Sequence, residues 1–276
     1  MDSMHPYYFQ KNITAADDLR PNDKKNSIIE PIQNTILSKV NSRDLSDVLQ
    51  SIPMPVDERV TALVAYYRYI FLVRGEFLIK METVPNLVIL KTVGNYRDTK
   101  LIAGADGQHI FVIKNGKLIK LNFELEIVRL PDDAENTGLE GARLMEGSGD
   151  HLYIVENDNL IQMDAITIRE VNRDTGWTNA TLLTVPGDSF LYIFRDEELI
   201  KMFQYTLKYF DKSTEWKSAT GLTGDGRTLY LVNNGELFAV NGNKLERDDS
   251  VTPDSDKDNL TLISSWIAYV FYVENV

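Results

Sequence analysis

The side chains that most often perform chemistry in enzymes are sparse in this sequence. The 276 residues include no cysteine and three histidines, His5, His109 and His151. The chain therefore has no disulfide, no thiolate metal ligand and no cysteine nucleophile. No G-x-S-x-G, P-loop or H-E-x-x-H pattern occurs, so catalysis would rest on Asp and Glu. Since no carboxylate pair stands out, we expect no enzyme activity, no catalytic residues and no cofactor, with a calcium-dependent hydrolase as the least favoured hypothesis.

Two of the histidines occupy corresponding places in a repeat. His109 and His151 each begin an apolar strand in neighbouring copies. With an added carboxylate, two histidines can bind a metal ion, but the spacing motifs of metal sites are absent. We therefore interpret both as strand-end side chains that make hydrogen bonds, and we expect no metal.

Carboxylates concentrate in turns and in one acidic stretch. Asp106, Asp188 and Asp225 lie in glycine-containing turns, which lack the alternating oxygen ligands and final bidentate Glu of a calcium loop. Residues 247–259 would either hold a weak calcium ion or form a solvated charged loop, and we favour the loop. Its aspartates are Asp248, Asp249, Asp254, Asp256 and Asp258.

Aromatic side chains are the remaining candidates for a binding site. Trp177 and Trp216 each stand three residues before an apolar strand, and Tyr96 aligns with them. An aromatic ring at a repeated loop position can stack on a sugar ring or contact a partner. It can equally fill the wedge between neighbouring repeats. Both interpretations are open, and the predicted ligand-binding residues are Trp177, Trp216 and Tyr96.

Six copies of an apolar strand must position these aromatic residues. Each copy has an aromatic residue inside four apolar positions, and successive copies are 38 to 42 residues apart. A constant period near forty indicates one supersecondary unit that is stacked or arranged in a ring. The strand is apolar at consecutive positions, so both faces of its sheet must be covered. The central aromatic residues are Phe71, Phe111, Tyr153, Tyr192, Tyr230 and Phe271.

Each repeat holds four strand candidates joined by tight turns. The clearest copies are Trp177–Asp211 and Glu215–Asp249, with Gly or Asn in the connections. Such turns favour a meander of antiparallel neighbours. A small sheet with two apolar faces is unstable alone, and a ring of such sheets is a β-propeller. We predict an all-β protein, a single domain over residues 1–276 that forms a six-bladed β-propeller of four-stranded antiparallel blades. The repeats start near residues 57, 98, 140, 177, 216 and 257.

The two ends of the chain are predicted to share the last blade. The sixth copy supplies two strands, Leu260–Trp266 and Ala268–Asn275, before the sequence ends. Residues 1–50 would supply the other two strands, with Pro6–Gln10 as the third and Asn34–Asp44 as the outermost. Residues 12–27 are polar and are predicted to form an exposed insert. A helix over residues 28–52 is the alternative, because apolar residues recur there every four positions.

The fourth and fifth copies resemble the tectonin and tachylectin-like propeller repeats. Both copies contain W-x-x-A-T-x-L before a turn and an LY strand, beginning at Trp177 and Trp216. Members of those families are six-bladed or similar rings, and several bind carbohydrate between blades. Because the other copies are looser and three lack the aromatic residue, the resemblance implies at most two or three sugar sites, near Tyr96, Trp177 and Trp216.

Charge and hydropathy limit the partners. The net charge is −12, and so acidic a surface disfavours nucleic acid and anionic lipid. No secretory signal or membrane-spanning stretch is found, so we expect a protein that is cytoplasmic or secreted without a classical signal peptide. The favoured function is non-catalytic recognition of a glycan or glycoprotein in inter-blade grooves. The alternative is a protein-interaction scaffold that uses one propeller face and the acidic loop 248–259.

Overall fold

The fold was determined from a computed structural model of the chain. The structure describes residues 35–54, 59–130, 138–255, 257, 260–266 and 269–275. Within this part of the chain the regular secondary structure consists only of β-strands. The first two strands, β1 (Thr35–Asn41) and β2 (Asp44–Met54), belong to the last blade.

Blades 1 to 3 follow one another along the chain. Blade 1 contains β3 (Val60–Tyr66), β4 (Tyr69–Arg74), β5 (Phe77–Glu82) and β6 (Val88–Val93). Blade 2 contains β7 (Leu101–Ala105), β8 (His109–Lys114) and β9 (Lys117–Asn122). Blade 3 contains β10 (Ala142–Ser148), β11 (His151–Glu156), β12 (Asn159–Asp164) and β13 (Arg169–Thr175).

Blades 4 to 6 complete the structure. Blade 4 contains β14 (Ala180–Thr184), β15 (Phe190–Arg195), β16 (Glu198–Phe203) and β17 (Lys208–Ser213). Blade 5 contains β18 (Ala219–Asp225), β19 (Thr228–Asn233), β20 (Glu236–Asn241) and β21 (Glu246–Arg247). Blade 6 is the sheet β2-β1-β23-β22, where β22 is Leu260–Trp266 and β23 is Tyr269–Asn275.

The six sheets form a closed ring. The inner strands contact one another in the order β3, β7, β10, β14, β18, β22, and β22 in turn contacts β3. This confirms the predicted six-bladed β-propeller, which lies in the compact unit Gln33–Val276. Blade 2 differs from the four-stranded prediction, because its described fourth strand is a single bridge between Leu121 and Ile127.

The hairpins close where the sequence provides residues that accept positive φ. Asn115 and Gly116 have φ of 51° and 70° between β8 and β9, and Asn234 and Gly235 have 51° and 75° between β19 and β20. Two consecutive residues with positive φ give the primed turn whose twist matches that of the strands. The predicted antiparallel meander follows from these turns.

Blade 6 combines both ends of the chain, as predicted, but with a different assignment of strands. Strand β1 pairs with β23 in antiparallel register, with Leu37 opposite Val273. The segment Asn34–Asp44 therefore contains the third strand, and the outermost strand is β2; Pro6–Gln10 lies outside the described residues. The helix alternative is wrong for residues 35–52, because a four-residue apolar spacing also places side chains on one face of a strand.

The core consists of six apolar clusters, one between each pair of neighbouring blades. Each repeated aromatic residue lies in a different cluster. Five of the six are 0% exposed and Tyr230 is 4% exposed. A blade on its own would expose both apolar faces of its sheet to water, so its stability depends on the neighbouring blades.

Candidate ligand-binding groove on blade 4

The three aromatic residues predicted to bind ligand occupy the same place in three repeats. Each carbonyl accepts a hydrogen bond from the amide three residues later, which is Thr99 for Tyr96, Ala180 for Trp177 and Ala219 for Trp216. The alignment of the repeats made from the sequence is therefore confirmed at these positions. The residues lie in different inter-blade clusters, so the structure does not bring them together in one site.

All three rings are packed between blades. Tyr96 is 6% exposed, and Trp177 and Trp216 are each 3% exposed. The indole N–H of Trp216 donates to the carbonyl of Leu245 at 3.0 Å. Burial of this degree leaves little ring surface on which a sugar could stack, and it matches the packing interpretation that the sequence left open. Trp177 differs from the other two because it also borders an open groove.

The blade 4 groove runs along the face of blade 4 that is turned toward blade 3. Its volume is about 560 Å³. Its floor comes from β16 and the following turn, and its walls come from the end of β13 and from β17. The lining residues are Asp174, Trp177, Arg195, Glu198, Ile200, Met202, Leu207, Tyr209 and Lys212.

At one end of the groove, Trp177 and the neighbouring Arg195 make hydrogen bonds that fix the positions of their side chains. The indole N–H of Trp177 donates to Oδ2 of Asp174 at 3.0 Å. The guanidinium of Arg195 lies 4.6 Å from the centroid of the Trp177 ring, which is within the range of a cation–π contact. Arg195 also donates from Nη1 to the carbonyl of Gly176 at 2.8 Å. These contacts fix the positions of an acceptor and a donor at this end.

The other end presents charge and an exposed ring. Lys212 forms an ion pair with Glu198, and this hydrogen bond raises the pKa of Lys212. Tyr209 is 58% exposed, so much of its ring is available to a ligand. With Ile200, Met202 and Leu207 below, the groove offers an apolar floor and a rim that contains both donors and acceptors.

The sequence prediction missed most of the groove. Tyr209 and Lys212 lie on the outer strand β17, and Arg195 and Glu198 flank the turn between β15 and β16. Only the run Lys208-Tyr209-Phe210 carried a usable signal, because two adjacent aromatic residues on an outer strand cannot both face the same side of the sheet.

A second opening lies at the mouth of the central channel. Residues from the inner-strand ends of all six blades line a cavity of about 290 Å³. Glu146 and Asp225 are the carboxylates among its lining residues, and Tyr66, Ser148 and Ser265 contribute hydroxyl groups. Desolvation raises the pKa of Glu146 to about 8.

We expect Glu146→Gln to raise Tm by about 4 °C at pH 8.5 and to change it little at pH 5. The folded-state pKa of Glu146 lies above the unfolded value of 4.5. Below about pH 4.5 the carboxyl group is neutral in both states, and stability is highest. As the pH rises from 4.5 toward 8 the unfolded state ionises more readily than the folded state, so the fold loses stability. Glutamine stays neutral throughout. Thermal melts at both pH values test this, with the exposed Glu215→Gln as control; equal shifts at the two pH values would contradict it.

His109 and the acidic loop make local polar contacts in the structure. Nδ1 of His109 lies 2.7 Å from Oδ1 of Asp106, which is the predicted strand-end hydrogen bond. Within the described ranges no group of three or more His, Cys, Asp or Glu side chains could hold a metal ion. In the acidic loop Asp254 forms an ion pair with Lys257 at 3.1 Å.

Comparison with known proteins gives the fold class and no family. No family model matches the chain, and no curated protein matches it. The WD40 domain of Neurospora crassa Pan2 is similar in structure, with a TM-score of 0.56, 10% identity and coverage of 87% of this chain and 82% of that one. A protein of unknown function from Bacteroides caccae has a TM-score of 0.52 and 8% identity, over 80% of this chain and 99% of that chain.

A third solved structure matches over part of its length. The Porphyromonas gingivalis protein PorZ has a TM-score of 0.49 and 13% identity, covering 75% of this chain and 34% of that one. This chain therefore spans about a third of the length of PorZ. The protein is a β-propeller like its structural neighbours, and the tectonin and tachylectin resemblance stays a prediction. Within the described part of the chain there is no helix with the length and apolarity that a membrane span requires.

Proposed function

We propose that this protein is a non-catalytic binding protein that holds a carbohydrate in the blade 4 groove. The observation that carries the proposal is the combination of an open volume of about 560 Å³ with an apolar floor and a charged rim. Clefts of roughly 300–1,000 Å³ are the size that small-molecule ligands occupy. The site is one groove on one blade, in place of the several equivalent grooves that the repeats suggested.

The chemistry of the groove fits a sugar ring. A sugar has an apolar C–H face and an edge of hydroxyl groups that both donate and accept. The exposed ring of Tyr209 can stack on the C–H face, above the side chains of Ile200 and Met202. Acceptors come from Asp174 and Glu198, and donors come from Arg195 and Lys212. Paired donors and acceptors at fixed positions provide specificity in such pockets.

We expect Tyr209→Ala to weaken glycan binding about 5- to 13-fold, because loss of a stacked ring costs about 1–1.5 kcal/mol. The probe is a broad glycan array, followed by titration of the best glycan while tryptophan emission is measured. Trp177 lines the groove, so its emission should change when the groove is occupied.

Tyr205→Ala is the matched control for this test. Tyr205 is 60% exposed, like Tyr209, but it is not among the residues that line the groove. Both variants should melt like the unmodified protein, since exposed side chains contribute little to stability. An array without hits, or equal loss of binding in the two variants, would contradict the carbohydrate proposal.

A protein partner on the opposite face of blade 4 is the second candidate. Phe203 and Phe210 are 40% and 47% exposed, and their ring centroids are 5.0 Å apart. Exposed aromatic clusters often mark protein-binding surfaces. A partner captured by the unmodified protein, lost with Phe203→Ser and retained with Tyr209→Ala would favour this function over glycan binding.

A further inference from the structure

One position of the inner strand carries a carboxylate in a single blade. The position lies directly opposite the repeated aromatic residue, and in blade 3 it is Glu146, opposite Tyr153. The other five blades have a neutral residue there. In chain order of the blades, with blade 6 last, these residues are Val64, Ala103, Thr184, Thr223 and Ser264. Five blades pack without a charge at this position, so the ring itself does not require Glu146.

Glu146 lines the channel cavity, which is the opening of about 290 Å³ at the mouth of the central channel. Space is left there because the residue that follows this position is no larger than valine in any blade. From blade 1 to blade 6 these following residues are Ala65, Gly104, Gly147, Val185, Gly224 and Ser265. The volume is at the lower end of the roughly 300–1,000 Å³ of ligand pockets. It therefore suits a small molecule or one inserted side chain.

The carboxylate of Glu146 has no ion pair and no hydrogen bond to any residue that the structure describes. Desolvation is what raises its pKa. By contrast, Asp106 in the neighbouring blade lies 2.7 Å from the ammonium group of Lys120. A carboxylate removed from water without a partner is costly, and such groups concentrate at binding and catalytic sites. A bound cation would supply the charge that Glu146 lacks.

The rim of the channel cavity is held by hydrogen bonds between neighbouring blades. The amide of Gly107 in blade 2 donates to Oη of Tyr66 in blade 1 at 2.9 Å. On the opposite side of the ring, the amide of Gly226 in blade 5 donates to the carbonyl of Pro186, which follows the inner strand of blade 4, at 2.7 Å. A rim fixed in this way lowers the cost of ordering the site when a ligand binds.

The other lining residues also favour a positive charge. No Lys, Arg or His is among them, and Asp225 is a second carboxylate. Tyr67 is 42% exposed, and the faces of such rings attract cations. The hydroxyl groups of Ser148 and Ser265 can accept hydrogen bonds from an N–H donor. The cavity thus combines negative charge, a ring and neutral acceptors.

We propose that the channel cavity binds an organic cation, whose ammonium or guanidinium group pairs with the carboxylate of Glu146. Such a group belongs either to a free amine or to a lysine or arginine side chain of a partner protein, and the test distinguishes these sources. The net charge of −12 favours the approach of a cation. The channel cavity shares no lining residue with the blade 4 groove, so this proposal does not depend on carbohydrate binding.

The test is isothermal titration calorimetry of the full chain at pH 8.5, in borate buffer because it contains no amine. The free cations are methylguanidinium and butylammonium. The peptides are acetyl-Gly-X-Gly-amide, where X is arginine, lysine or, as the neutral control, glutamine. Tighter binding of a free cation would identify a small-molecule site, and tighter binding of a basic peptide would identify a site for a protein side chain. The glutamine peptide should not bind.

Two variants remove the charge in different ways. Glu146→Gln keeps the shape of the side chain, and Glu146→Thr introduces the residue that blades 4 and 5 have at this position. Both should melt cooperatively and bind the best cation about 30-fold more weakly or worse, as for loss of one partner of a desolvated charge pair. Glu215→Gln, at an exposed site outside the cavity, should bind like the unmodified protein. The proposal is overturned if the unmodified protein binds none of the cations, or if both Glu146 variants bind them equally well.

Discussion

A chain that begins at residue 55 will show no cooperative thermal unfolding. It lacks β1 and β2, which form half of blade 6. Strand β23 then exposes its whole hydrogen-bonding edge, and the core side chain of Leu37, which is 0% exposed, is lost from the interface with blade 1. Since each blade depends on both neighbours for burial of its faces, opening the ring at one blade exposes two interfaces.

The measurement is circular dichroism with calorimetry, on matched chains. The control begins at residue 33, the start of the compact unit that contains the ring, and should melt in a single transition close to that of the full chain. A single sharp transition at an unchanged temperature for the chain that begins at residue 55 would show that blade 6 does not need its N-terminal half.

Gly147→Ala will destabilise the protein by about 3 kcal/mol, at the upper end of the usual cost of overpacking. A Cβ atom on Gly147 would lie 2.2 Å from the carbonyl oxygen of Gly104. The clashing atom belongs to backbone, and both residues lie on inner strands of adjacent blades. Neither strand can move outward without disturbing its other neighbour in the ring, so little relaxation is available.

Gly94→Ala provides the matched comparison, because the nearest atom to its added Cβ is in Phe77 at 3.8 Å. We expect Tm to fall by about 10 °C for Gly147→Ala and by no more than about 2 °C for Gly94→Ala. Similar melts for the two variants would mean that the inner strands are spaced more loosely than the structure shows.

The sequence predicted the architecture well because the architecture is repetitive. A period near forty, consecutive apolar positions and glycine-containing turns recur six times, so each copy supports the interpretation of the others. Even the sharing of the last blade could be inferred, since β22 and β23 lack two partners in the C-terminal sequence. The choice of the third strand could not, because Pro6–Gln10 and the segment that forms β1 are both apolar enough to serve there.

The candidate site was harder to predict for a physical reason. Repetition emphasises residues that every blade needs, and those residues pack the interfaces, as Trp177 and Trp216 do. A ligand site on one blade depends on what differs between copies. Tyr209 and Lys212 on β17 have no counterpart that would mark them.

The shared blade has a consequence for synthesis. Strands β1 and β2 are synthesised before the other strands of the ring, yet β23, which pairs with β1, is the last of these strands to be made. The intermediate blades can assemble progressively as they appear, since each touches its predecessor. The β1–β2 hairpin must therefore wait, without its partner β23, for more than 200 residues of translation, and the ring closes in a single late step.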